Sequence, residues 1–212
     1  MAKDLASTGR KPWILLISAP SGAGKTTLCQ SLLQSDNRFR RLITCTTRPP
    51  RTGESDGDDY HFLNREAFEQ QVAQGEFMEH AVVYDHVYGS RKKDVMSLIH
   101  QGYHPLLNID VQGAASIREQ NLPEQLGVDL ITVFLCPPSL EELERRLRGR
   151  QSDKAEVIAR RLNSARDEIL QWKAFDYFIE SSTRSHDLER LEQIVSAESL
   201  RCHRLSSPSV LS

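Results

Sequence analysis

The chain lacks most of what marks a secreted, membrane-spanning or nucleic-acid-coating protein. Its four cysteines (Cys29, Cys45, Cys136, Cys202) form no CxxC pair and have no zinc-type histidine grouping near them. Scattered in this way they read as free thiols packed like small hydrophobes in a reducing compartment, not as a disulfide framework or a metal site. No apolar run approaches the roughly 20 residues needed to cross a bilayer, and "WILLISA" falls far short. The first residues, "MAKDLASTGRK", lack the apolar segment of a secretory signal. Charge of one sign is missing as well: 27 Lys and Arg stand against 29 Asp and Glu, a net of −2, so no global basic field draws the chain to nucleic acid. These absences lead to the expectation of a cytoplasmic protein with neither membrane nor nucleic-acid partners. No internal repeat is present, and 212 residues suit one ordinary domain with room for inserted subdomains.

What the chain does have is alternation. Short apolar runs alternate with longer amphipathic ones, the pattern of an α/β protein with a parallel sheet. Strands are expected at Trp13–Ser18, Leu42–Thr46, Leu106–Ile109, Leu130–Leu135 and Tyr177–Ile179, and helices at Lys25–Gln34, Arg65–Gln74, Arg91–Gln101, Ala114–Gln120, Leu140–Arg148, Ala155–Lys173 and His186–His203. Ser139 with Glu142 three residues on reads as a capping box opening the helix "LEELERRL". From Thr47 to about Tyr88 the alternation breaks: Pro49, Pro50, Gly53, Gly57 and many charges leave only short strand-like pieces such as "YHFL". A subdomain inserted between core strands fits this stretch better than a buried crossover does. Residues 1–11 and 206–212 are expected to be disordered.

The stretch "SAPSGAGKTT", residues 18–27, closes the first apolar run and opens a helix. It follows the phosphate-loop pattern G-x-x-x-x-G-K-[ST], with Ala19 in place of the first glycine. That pattern converges backbone N–H groups on phosphate oxygens at a helix N-terminus, where the helix dipole favours anions. Gly22 and Gly24 permit the close approach, Lys25 is expected to reach the β- and γ-phosphates, and the Thr26 hydroxyl to ligate Mg²⁺. The ATP-binding set is then Ala19, Pro20, Ser21, Gly22, Ala23, Gly24, Lys25, Thr26 and Thr27. Downstream, Arg48 and Arg51 stand in a proline-stiffened loop followed by Tyr60, two guanidinium groups and a phenol suited to clamping a second phosphate.

With these pieces together the chain resembles the guanylate kinases. The likeness is carried by "SAPSGAGKTT", "TTRPPRTGE", "YHF", "GEFMEHA", "VYGS", "NIDVQG" and "RRLRGR…EVIARRL", in unbroken order over roughly residues 13–180. It implies a three-layer P-loop core with a parallel sheet (12–43, 106–145 and 163–205), a GMP-binding insertion (44–105) and a mobile lid (146–162). It further implies transfer of the γ-phosphoryl of ATP to GMP, with Mg²⁺ as cofactor. Arg48, Arg51, Tyr60 and Tyr88 would hold the GMP phosphate. Glu79 would accept hydrogen bonds from guanine N1–H and the exocyclic amine, Thr44 and Ser90 would address the other edge of the base, and Asp110 would lie near the amine. Adenine has no donors at those places, so a buried carboxylate would be left unpaired with AMP. Lys25, Arg48, Arg146, Arg150 and Arg161 would be the catalytic cations.

The resemblance is incomplete at three positions: Asn108 stands where the family usually has aspartate, Gln151 where glycine follows the lid arginine, and Ser181 where asparagine lies near the adenine. Two other readings compete: an enzyme acting on a different phosphorylated acceptor, and an inactive guanylate-kinase-like binding module. The full phosphate loop and arginine set weigh against the second, the Glu79, Thr44 and Ser90 set against the first. Oligomeric state is not legible.

Overall fold

In a computed structural model, residues 11–83, 85–149 and 155–205 are described. Nine strands and eight helices among them divide between two sheets. The larger sheet is wholly parallel, in the order β2 (Phe39–Arg41), β7 (His104–Asn108), β1 (Ile14–Ser18), β8 (Leu130–Cys136), β9 (Tyr177–Glu180). The strand at its centre, β1, is buried along its whole length, as a strand covered on both faces must be. Leu15 and Ile17 pack with Leu28 and Leu32 of α1 (Lys25–Ser35) and Leu191 and Val195 of α8 (Arg184–Ser199). Their neighbours Ile14 and Leu16 face the other way. They meet Val95 of α3 (Lys92–His100), Ala114 and Ile117 of α4 (Val111–Glu119), and Leu122 of α5 (Leu122–Leu126). The period-2 alternation of side chains thus builds two cores and three layers.

The second sheet has the order β4 (His61–Phe62), β3 (Cys45–Thr46), β6 (His86–Arg91), β5 (Phe77–Val83). It closes over its own small core of Cys45, Phe68, Phe77 and Val87, with Phe68 supplied by α2 (Arg65–Ala73) and stacked on Phe77 at 4.5 Å. Gly89 makes the packing possible: a Cβ there would stand 2.9 Å from Phe77 and 3.0 Å from Phe68. A further cluster joins α6 (Leu140–Arg148) to α7 (Ala155–Ile169) through Leu143, Leu147, Ile158 and Ala165.

Several sequence expectations change. The strand expected at Leu42–Thr46 is strand only at Cys45–Thr46: β2 of the large sheet has already ended at Arg41, and β3 belongs to the second sheet. The stretch expected to hold only short strand pieces contains the long antiparallel pair β5–β6. Its pattern is masked because Glu79 and Ser90 are buried polar residues at inward positions. The short helix α5, with Pro123 in its first turn, has no counterpart among the sequence expectations. The capping box at Ser139 is half made. Its hydroxyl accepts the Glu142 N–H at 3.1 Å, but the Glu142 carboxylate turns to Arg145 and Arg146. Cys29, Cys45 and Cys136 are buried as expected, whereas Cys202 is exposed. Among the described residues no helix is long and apolar enough to cross a membrane.

Candidate active site

At the C-terminal end of β1 the chain turns through Ala19–Gly24 into α1. Gly22 and Gly24 hold φ of 95° and 105°, the left-handed region where a side chain is strained. Ala19 is buried and is not among the positive-φ residues, so alanine costs nothing where the motif usually has glycine. The helix that follows is left open at its start. Gly24 supplies no side-chain cap and the first turn of α1 holds no acidic residue. By contrast α2, α4, α6 and α8 are capped by Asn64, Asp110, Ser139 and Thr183. Uncapped N–H groups and an unopposed dipole are what an anion needs.

Around this loop lies a cavity of about 290 Å³ lined by residues of the 19–27 stretch together with Val83, Asp110 and Glu168. Lys25 projects into it and donates through Nζ to the Ile109 carbonyl at 2.8 Å. Burial lowers the proton affinity of its ammonium, while Asp110 and Glu168 act in the opposite sense. On the far side of the loop a second cavity of about 430 Å³ shares Gly22, Gly24 and Thr27 and is bordered by Arg146, Ser181 and Asp187. Arg146 is pinned there, donating to the Ala23 carbonyl at 3.0 Å and to Ser181 Oγ at 3.2 Å. Ser181 in turn donates to Asp187 at 2.8 Å. The hydroxyl at this departure from the family pattern is therefore already engaged.

A third cavity, of about 270 Å³, opens between the two sheets, lined by Thr44, Tyr60, Glu79, Tyr88, Gly89, Asn108 and Asp110, with Lys25 at its edge. Glu79 is 4% exposed and accepts a 2.6 Å hydrogen bond from Ser90 Oγ. Burial first, then the nearby Asp110, pushes the Glu79 carboxyl up to about 7. The closeness of α4 depends on a residue that sequence reasoning passed over: a Cβ on Gly113 would stand 3.0 Å from Glu79 Oε2. Asp110 caps α4 by accepting the Gly113 N–H at 2.9 Å, and so belongs to both this cavity and the loop cavity.

Of the expected phosphate clamp, Tyr60 and Tyr88 meet edge to face with centroids 5.9 Å apart. Arg48 lies 5.5 Å over the Tyr60 ring. It is buried and fastened to both oxygens of Glu54, at 2.8 and 2.9 Å, a pairing that raises its proton affinity further. Arg51 is exposed, and its backbone N–H also donates to Glu54. Ser90 is fully buried and donates to Glu79, so it backs the carboxylate without lining the cavity. Arg161 lies on α7 and lines none of these three cavities. Arg150 and Gln151 lie outside the described residues. Sequence reasoning also missed Arg41, 5.8 Å from the Tyr60 ring, and Glu168, whose spacing from the loop no local motif reveals.

A phosphate loop at the end of the central strand of a parallel three-layer sheet defines the class, a P-loop α/β protein, here with a second polar cavity adjoining the loop. The guanylate kinase family profile matches residues 10–198. A guanylate kinase from Paramagnetospirillum magneticum is 40% identical over 96% of this chain and 93% of its own length. One from Syntrophotalea carbinolica is 45% identical over 92% and 90%. The crystal structure of guanylate kinase from Anaplasma phagocytophilum superposes with a TM-score of 0.72 at 31% identity, covering 92% of this chain and 90% of that one. The chain belongs to the guanylate kinase family.

Proposed function

We propose that this chain transfers the γ-phosphoryl group of ATP to GMP, yielding ADP and GDP. The observation that carries the reading is the junction: Lys25 and Asp110 line both the loop cavity and the cavity that holds Glu79. Two anionic nucleotides in those cavities would meet end to end at one ammonium. The acceptor is a phosphate oxygen already ionised near neutral pH, so no general base is required. Alignment and charge compensation supply the catalysis.

In this reading the ATP phosphates lie on the N–H groups of Ser21–Thr27 with Lys25 at their β,γ end, and the adenosine occupies the cavity bordered by Arg146 and Ser181. Glu79, held by Ser90, reads guanine N1–H and the exocyclic amine; Thr44 reads the opposite edge; Arg48, Arg51, Tyr60 and Tyr88 hold the GMP phosphate. Arg146, Arg150 and Arg161 complete the cationic surround. The exposed Thr26 hydroxyl and the Asp110 carboxylate, which line the same cavity, are oxygen donors of the kind Mg²⁺ takes. When bound there, the ion would neutralise charge across the β- and γ-phosphate oxygens. The division into a core, a GMP-binding insertion at 44–105 and a lid at 146–162 belongs to the same proposal, as does a cytoplasmic location.

The test is a comparison of acceptors, with GMP or AMP supplied alongside Mg²⁺ and ATP and product nucleotides separated by chromatography. GDP formation with negligible conversion of AMP is expected. Equal use of the two, or no consumption of ATP with GMP, ends the proposal.

A further inference from the structure

Arg146 reaches the phosphate loop from the last turn of α6, and acceptors from three parts of the chain hold it there. Its Nε donates to Glu142 on the same helix at 2.8 Å, and its Nη1 donates to the Ala23 carbonyl and to Ser181 Oγ. The guanidinium stands close to the cradle itself: a Cβ on Gly24 would lie 4.0 Å from Nη1. Glu142 is a shared partner, because both of its oxygens also receive Arg145. A long side chain at a helix end gives up much rotamer freedom when it is fixed, so the remaining acceptors decide where the charge points.

An arginine can only donate, so Ser181 Oγ must accept from it, and the one hydroxyl hydrogen is left for another acceptor. That acceptor is Asp187, at 2.8 Å. Ser181 and Asp187 are 2% and 7% exposed, so water competes little and each bond in the chain strengthens the next. The other carboxylate oxygen accepts the Ser182 N–H at 2.8 Å. The blander role for Asp187 is to fasten this turn to the start of α8. The Ser182 bond alone would do that, and α8 already has its cap in Thr183, whose hydroxyl accepts the His186 N–H at 3.3 Å. The bond to Ser181 serves neither purpose. It leads away from α8, to the arginine.

We propose that Asp187 is a positioning residue for phosphoryl transfer, holding Arg146 at the phosphate loop through the Ser181 hydroxyl. Asp187 acts on no reacting atom itself. Its charge makes Ser181 Oγ a better acceptor, and that fixes the guanidinium along the wall of the 430 Å³ cavity that all three residues line. Position 181 departs from the family's asparagine, and here a short hydroxyl with a carboxylate behind it stands in the place of a longer amide. The inference rests on the reading of this chain as a phosphotransferase acting at the loop.

Steady-state turnover with ATP and GMP tests it in wild type, Ser181→Ala, Asp187→Ala, the double variant and Ser181→Asn, with the melting point of each. Ser181→Ala removes the link to Arg146 and spares the Asp187–Ser182 tie. In each single alanine variant kcat should fall roughly tenfold, the scale of one charge-assisted hydrogen bond, while the KM for GMP holds. The double variant should lose no more than the singles, because both cut the same chain. Ser181→Asn should recover most of the loss, since its amide oxygen can accept from Arg146 and its NH2 donate to Asp187. Full kcat in Ser181→Ala, or losses that multiply in the double variant, overturns the proposal. A lowered melting point for Asp187→Ala with kcat unchanged overturns it in favour of the tie. Wild type that forms no GDP overturns the transfer reading too.

Discussion

The loop cavity and the Glu79 cavity share Lys25 and Asp110 but are built on different plans. The first is walled mostly by one continuous stretch, residues 19–27, and its working groups are backbone N–H donors held by two left-handed glycines. The second gathers side chains from the ends of β3 and β4, from β5 and β6, and from the turn after β7. A backbone cradle recognises charge and is indifferent to most side chains, as the acceptance of Ala19 illustrates. A side-chain pocket recognises a pattern of donors and acceptors, so it discriminates and is sensitive to single substitutions. Electrostatics follows the same division: the first site leaves its helix terminus open to an incoming anion, while the second keeps a carboxylate buried at a cost.

Removing the shared cation should have the largest effect. Lys25→Ala is expected to lower turnover by about 10³-fold or more, the scale for losing a preorganised charge in a transferring site. Equilibrium binding of GMP should fall much less. Near-wild-type turnover would mean that the two cavities do not meet where the structure joins them.

Glu79→Gln should separate the two plans more sharply. We expect GMP kcat/KM to fall by about 10²-fold, because one acceptor oxygen becomes a donor facing the guanine amine. The KM for ATP should stay within twofold or so, since the backbone cradle is untouched. In the wild type, guanine donors need the ionised carboxylate, whose pKa is raised to about 7 in the empty site. GMP affinity should therefore weaken as pH falls through 7, and this limb should vanish in the Gln variant. The folding sign is opposite. A carboxyl whose folded-state pKa is raised destabilises the fold as pH climbs from its unfolded value through 7, so at pH 8 Glu79→Gln should be more stable to unfolding than wild type by up to about 3 kcal/mol, with a higher melting point. A lower melting point with unchanged GMP affinity would mark Glu79 as structural.

Gly113→Ala probes the approach of α4 at smaller amplitude. Its new Cβ, 3.0 Å from Glu79 Oε2, must shift the carboxylate by tenths of an ångström. A rise of about fivefold in the KM for GMP, with ATP unaffected, is the size expected of modest overpacking. Equal effects on both substrates would point to a general loss of stability. The smallest change should come from Asn108→Asp, at the end of β7 in the Glu79 cavity. Restoring a negative charge near the junction should move the Mg²⁺ dependence of the rate by about twofold, on the scale of one screened charge near a surface. Superimposable Mg²⁺ curves would remove Asn108 from the metal question.

How far the sequence could be read follows the same contrast. The loop was legible because its groups are consecutive and its spacing follows from backbone geometry. Glu79, Thr44 and Ser90 were found only through a resemblance. Taken alone, a glutamate in "GEFMEHA" looks like a solvated helix-end charge, whereas it is a buried residue on β5. The β5–β6 pair was missed for the same reason: polar residues placed inward for recognition break the alternation by which a strand is recognised.

The sequence by itself determined the parallel core, the strand–loop–helix cradle and the glycines that shape it, since each depends on local periodicity and on φ at single residues. Only the tertiary structure decided that Lys25 would reach the Ile109 carbonyl 84 residues away, that α4 would press Gly113 against Glu79, and that α7 would bring Glu168 to the wall of the loop cavity. Those meetings depend on how separate elements pack, and packing is set by the burial of apolar faces on all of them at once, which no short stretch of chain encodes.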